Sequence, residues 1–193
     1  IVEARVYRCG NGRIDQELDL SRMTFGEVAG VSKPVSQIVM GTLFAQDIDR
    51  ASLVLDEFVS QGGNCFDTAR HYGDAELVFG EWMKNSGVRD DSVVITKGAH
   101  TPNCNPEAVT SQLFESLDRL QTDFIDIYFL HRDNLDIPVG EFVDVLNEHR
   151  EAGRIGVFGG SNWSLERVDE ANAYAACNGF ADFTVLSNHT SLA

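Results

Sequence analysis

Four short apolar runs in this chain each end in a polar or ionisable residue, and a helix-like stretch follows each within a few residues. Residues 64–66 lead to Asp67, 93–96 to Lys97, 124–130 to His131, and 156–160 to Ser161 and Asn162. Short runs of this kind fit strands covered on both faces, as parallel sheets are. In parallel α/β proteins, ligands sit beyond the carboxyl ends of the strands. Chemistry-bearing residues at successive strand ends therefore predict one site at one edge of one sheet.

The alternation covers residues 36–193. A strand over 36–42 precedes a helix over 47–61, with Leu53, Val54, Phe58 and Val59 expected on its buried face and Gly62 and Gly63 closing it. A helix over 75–86 is capped by Asp74 and stopped by Gly87. Asn105 and Pro106 open a third helix, striped by Val109, Leu113, Leu117 and Leu120. Further helices run from 138 to about 152 and from the Ser164 cap to Gly179, before a sixth strand over 183–187. Six such units do not close an eight-stranded barrel, which usually takes ~250 residues. The predicted class is α/β, as an open sheet or an incomplete (β/α)8 barrel. Residues 1–35 differ, because 5–8 and 13–20 flank the hairpin signal Cys9-Gly10-Asn11-Gly12. They form a lid over the barrel's amino-terminal end or the tail of a preceding domain, the lid being preferred. Ile1 suggests that the chain begins inside a longer product.

The net charge of −15, with no basic patch, argues against nucleic acid or an anionic membrane as partner. No apolar run approaches the ~20 residues of a bilayer span, and the first residues lack a signal-peptide core. Cys9, Cys65, Cys104 and Cys177 lack metal-site spacing, so reduced thiols in the cytoplasm are expected over two disulfides, and no metal is expected.

Asp67, Tyr72, Lys97 and His131 suggest a reaction when taken together. A phenol is a weak proton donor at neutral pH, and a nearby ammonium stabilises its phenolate. A carboxylate beside the ammonium keeps it charged and placed, and an imidazole can orient a carbonyl. Protonating a carbonyl oxygen suits delivery of hydride to its carbon, which needs a borrowed cofactor. The set reads as a carbonyl-reductase site for a small carbonyl substrate.

The segment NCFDTARHYGDAELVFGEW (64–82) resembles the aldo-keto reductase signature. Thr96-Lys97 after an apolar run, LHRDN (130–134) and GRIGVFGGSNW (153–163) are similar to that family's later motifs, in the same order, as are SLERVDEANAYA and the closing VLSNHTSLA to a bacterial branch. The likeness covers about residues 33–193 and implies a (β/α)8 barrel using NADP(H), with NAD as the alternative. It places the catalytic tyrosine on Tyr72, the lysine on Lys97, the aspartate on Asp67 and the histidine on His131. Ser161 and Asn162 fall on nicotinamide contacts, Ser187 or Asn188 on another, and Gly41 and Thr42 at the end of the first barrel strand on further cofactor contacts. Trp163 is expected to line the substrate pocket. The family's adenosine-phosphate site lies in final strands beyond this segment.

Two other readings stand beside the reductase. One is a non-catalytic barrel fragment or regulatory subunit that binds a nucleotide or partner, with self-association through open barrel edges. The other, weaker, is a lyase or isomerase using Lys97 as a Schiff base. His71 and His100 are expected to face solvent, and Arg132 and Asp133 to form a local ion pair.

Overall fold

The computed structural model describes residues 23–188. A parallel six-stranded sheet runs in chain order: β3 (Val39–Gly41), β4 (Cys65–Asp67), β5 (Val93–Gly98), β6 (Ile125–Leu130), β7 (Ile155–Ser161) and β8 (Val185–Ser187). The helices α1 (Ile48–Ser60), α2 (Ala75–Ser86), α3 (Pro106–Leu120), α4 (Val139–Glu151) and α5 (Leu165–Asn178) connect successive strands and pack on one side. This is an incomplete (β/α)8 barrel, one of the two forms the alternation allowed and the one the family resemblance implied.

Side chains alternate across a strand, so every second residue shares a face. Cys65, Val93, Ile95, Ile127, Phe129 and Val157 form one cluster, the barrel interior. Phe66, Val94, Tyr128, Leu130 and Phe158 point the other way, into the layer beneath the helices. There Phe66 packs on Phe58, Phe79 and Trp82, with ring centroids 5.4, 5.1 and 5.5 Å away. The helix caps follow the sequence. Asp47, Asn105 and Ser164 each accept a hydrogen bond from a backbone N–H three residues on.

A short antiparallel hairpin, β1 (Phe25–Gly26) with β2 (Val35–Ser36), lies at the amino-terminal end. Val28 and Val31 in its turn pack on the interior cluster. Lys33 reaches the buried Asp126 at 2.8 Å, and Arg89 meets the same carboxylate at 3.1 Å. The hairpin expected over 5–20 lies outside the described residues.

Several details depart from expectation. The strand foreseen over 36–42 is divided: Ser36 pairs backward with Phe25, whereas Val39 pairs forward with Cys65. On α1 the buried residues are Ala51, Leu55 and Phe58, while Leu53 and Val54 are exposed. Both groups are apolar, so hydrophobicity alone did not choose the face. Asp74 occupies the cap position of α2 without a side-chain hydrogen bond. Cys65, Cys104 and Cys177 are free thiols, and Cys9 lies outside the described residues.

Candidate active site

The period-two alternation that builds the interior also builds the site. Two residues above Cys65, Ile95, Phe129 and Gly159, at the carboxyl ends of their strands, stand Asp67, Lys97, His131 and Ser161. Register keeps these ends at related heights: Gly41 pairs with Asp67, Lys97 with Phe129, and Ser161 with Ser187. The His131 amide extends the ladder by donating to Gly98 O at 2.7 Å.

Lys97 is buried and fully engaged. Its Nζ donates to both carboxylate oxygens of Asp67, at 2.6 and 2.7 Å, and to Thr68 O at 2.7 Å. Three charge-assisted bonds saturate an ammonium and fix its position. The ammonium lies 5.0 Å from the centre of the Tyr72 ring. That ring stands perpendicular to His131, at 82° with centroids 5.7 Å apart. All four residues expected to act together therefore meet at one end of the barrel.

Tyr72 comes from a loop, and the loop is tied down. Arg70 N donates to Lys97 O at 2.9 Å. The Gln46 side chain donates to Tyr72 O at 3.0 Å and accepts from Asp74 N at 3.1 Å, clamping both sides of Gly73. At Gly73, φ is +61°, a conformation glycine adopts without penalty. Nothing in the sequence marked Gln46, because a polar residue before a helix is ordinary.

His131 is buried, and its imidazole is held down at about 3, foremost by burial and then by Lys97, with His100, Arg132 and His71 behind. It is neutral at physiological pH and can donate one N–H. Cys65, one inward position below Asp67, is pushed up to about 12 by burial and the Asp67 and Asp126 carboxylates, so it remains an inert thiol. His71 is exposed as expected, but half-buried His100 stacks on it with centroids 3.9 Å apart.

The expected cofactor contacts occupy the neighbouring strand ends. Thr42 is buried, and its N and Oγ1 both donate to Asp67 O, at 2.9 and 3.2 Å. A Cβ added at Gly41 would meet no atom within 4 Å, which leaves open space above the first barrel strand. Asn162 adopts φ +58°, donates its backbone N–H to Ser187 O at 2.9 Å and its side-chain N–H to Ser161 Oγ at 3.1 Å. Asn188 Nδ2 is spent on Trp163 O at 3.1 Å.

Trp163 must be corrected. Its ring is 1% exposed and packs between Phe142 and Phe183 beneath Arg167, in the helix layer rather than at the mouth. Glycine at position 160 leaves the room it fills, since a Cβ there would sit 2.4 Å from the indole. The Arg132–Asp133 pair is likewise replaced. Asp133 takes Arg167, a buried guanidinium that also meets Glu170 and the carbonyls of Asn134 and Ile137.

The chain matches the aldo/keto reductase family over residues 37–193. It belongs to that family. Among relatives of this chain, norsolorinic acid reductase B of Aspergillus parasiticus is 31% identical over 184 residues, covering 87% of this chain and 45% of that protein. Aldo-keto reductase YhdN of Bacillus subtilis is 32% identical over 145 residues, 70% of this chain and 44% of its own length. Probable aryl-alcohol dehydrogenase AAD4 of Saccharomyces cerevisiae is 32% identical over 153 residues, 71% of this chain and 46% of its own. The chain thus spans about half the length of the relatives it matches. Among the described residues, no helix is long and apolar enough to cross a membrane, and no cluster of metal-binding side chains occurs.

Proposed function

We propose that the protein of which this chain is part reduces a small aldehyde or ketone to an alcohol by hydride transfer in the cytoplasm, with Tyr72 as general acid. The observation that carries this reading is the saturated Lys97 ammonium, bonded to Asp67 at 2.6 Å and lying 5.0 Å from the Tyr72 ring. In this reading neutral His131 donates to the carbonyl oxygen and orients it. Tyr72 gives its proton to that oxygen as the carbon is reduced. Lys97 stabilises the phenolate left behind, and Asp67 holds Lys97 charged. Because all three bonds of Lys97 are taken by acceptors, it is poorly suited to serve as an amine nucleophile, which counts against a Schiff base.

A nicotinamide dinucleotide supplies hydride when bound, and the residues present fit one. Open space lies above Gly41, and Ser161 and Asn162 place a hydroxyl and an amide at the mouth, suited to a carboxamide. Gly41, Thr42 and Ser187 would lie beside it, and Asn188 supports the loop through Trp163. NADPH is the favoured donor, with NADH the alternative. The edge strands β3 and β8 each pair on one side only among the described residues, so further chain or a second copy would cover them.

The test is Tyr72→Phe in the full-length protein, with small aldehydes and NADPH. Turnover should fall about 10²- to 10⁴-fold with cofactor affinity nearly unchanged, because the phenol acts mainly in the transition state. A variant that keeps most of its turnover would overturn the assignment. Labelling after borohydride treatment would instead establish the Schiff-base reading, and binding of nucleotide or partner without any turnover would establish the non-catalytic one.

A further inference from the structure

His131 lacks the hydrogen bond that usually fixes a functional imidazole. Its Nδ1 is buried and finds no partner among the described residues. Its hydrogen bonds are made by the backbone: N–H to Gly98 O at 2.7 Å, and C=O from Arg132 Nη1 at 2.9 Å. Rotation of an imidazole about its outer torsion is broad and roughly two-fold. A half-turn would exchange each ring nitrogen with a ring carbon, Nδ1 with Cδ2 and Nε2 with Cε1, and so move both polar atoms.

Packing supplies what hydrogen bonding does not. Three aromatic rings stand nearly perpendicular to His131: His100 at 4.6 Å and 81°, Tyr72 at 5.7 Å and 82°, and His71 at 6.4 Å and 83°. Edge-to-face contact is a favoured arrangement for such rings. His100 is the nearest, and it is itself fixed. Its Nδ1 lies 3.0 Å from Thr101 O, which can only accept, so Nδ1 carries a proton. Its outer face is covered by His71, parallel within 3°.

The backbone delivers His100 to this place by an unusual turn. Ala99, between the Lys97 strand and His100, is buried and has φ +57°, a region an alanine rarely occupies. The turn is held by Gln112, whose Oε1 accepts from Ala99 N at 2.9 Å.

We propose that His100, backed by His71, is a positioning residue that locks the His131 ring by edge-to-face packing. The proposal rests on the reading of His131 as the group that orients the substrate carbonyl. His100 and His71 do not touch the reacting atoms; they act through His131.

In the full-length protein, imidazole 1H–13C spectra of His131 and steady-state kinetics with NADPH and a small aldehyde test this for three variants. His100→Ala should broaden or double the His131 ring signals. It should also lower kcat about 10- to 100-fold, the cost of a misplaced group, with KM for NADPH unchanged. His100→Phe keeps the flat ring without its nitrogens, and should restore a single set of His131 signals and most of kcat. His71→Ala, at an exposed position where folding is safe, should show a weaker change in the same direction. Unchanged His131 signals in His100→Ala would overturn the proposal. So would a Phe variant that behaves like the Ala variant, which would assign the role to the nitrogens of His100. If His131 signals double in His100→Ala while the parent protein shows no turnover, the packing role stands and the reductase reading falls.

Discussion

Two lysine–aspartate pairs sit at opposite ends of the same barrel, and they differ in which partner is buried. At the carboxyl end, Lys97 is 4% exposed in its side chain and Asp67 28%; at the amino end, Lys33 is 21% exposed and Asp126 2%. The separations are alike, 2.6 and 2.8 Å. Asp126 is enclosed by donors, namely Lys33, Arg89 and the Val94 amide, and it faces no group that could react. Lys97 is enclosed by acceptors, but beside it stand a phenol and an imidazole. An ion pair becomes machinery through its neighbours, while its geometry alone makes it a joint.

The largest contrast should appear when each buried partner is removed. On the proposed mechanism, Lys97→Met should lower turnover of the full-length protein by about 10²- to 10⁴-fold, measured as kcat with NADPH, since the phenol would then lose its stabilising charge. Its unfolding free energy should change far less than its rate. Asp126→Ala should do the reverse. It leaves two cations and a backbone N–H without their acceptor, so urea unfolding should show a loss of about 3 kcal/mol, with kcat per folded molecule unchanged. If Asp126→Ala impaired turnover as Lys97→Met does, the division between the two ends would fail.

Acid should sharpen the same contrast. Burial and Lys97 hold His131 at about 3 against an ordinary value of 6.5. Below the ordinary value the unfolded chain binds a proton that the folded chain refuses. Stability therefore falls as pH drops from about 6.5 towards 3, by up to ~1.4 kcal/mol per pH unit for this one group. His149, also held low by burial and by Arg154, adds to the slope from the outer layer. Unfolding of His131→Phe across this window should show a shallower slope, with the His149 part remaining. An unaltered slope would mean that the mouth contributes nothing to acid sensitivity.

The smallest effect belongs to the loop that carries Tyr72. Gln46→Ala removes two hydrogen bonds to a partly exposed loop and should cost about 1 kcal/mol by thermal unfolding. Because the clamp bears on the Tyr72 backbone, kcat should fall modestly while Asp126→Ala leaves it untouched.

The carboxyl-end pair was legible in the sequence because it breaks a pattern: an ionisable residue closing an apolar strand stands out, and four in series stand out together. The amino-end pair was marked less plainly. Asp126 lies inside the apolar run 124–130, and a charge there could have been noticed, but its partners come from positions 33 and 89, which no local spacing connects. Buried Glu76, raised by burial and bonded to Thr96 Oγ1 at 2.6 Å, hides for a similar reason, since on a helix it resembles any surface acid. Trp163 was misplaced because sequence gives its position along the chain but not its rotamer, and the space beside Gly160 draws it inward. Leu53 and Val54 show the limit of helical periodicity: an apolar stripe marks residues able to be covered, and which of them are covered depends on what packs there.

The alternation of β4, β5 and β6 also determines which changes the site can absorb. Asp67, Lys97 and His131 owe their common height to strand pairing, so loops at the mouth can lengthen or change composition without separating them. A single residue deleted within β5 would instead turn Lys97 outward, towards Glu76 and the helices, and bring Thr96 or Gly98 to face Asp67. Tyr72 has no such protection, because its place depends on loop hydrogen bonds rather than on a ladder. On the proposed mechanism, variation that spares the lysine, the aspartate and the histidine can therefore still silence the site by shifting the tyrosine, and a natural sequence of this kind would lose its proposed proton donor while keeping the rest of its appearance.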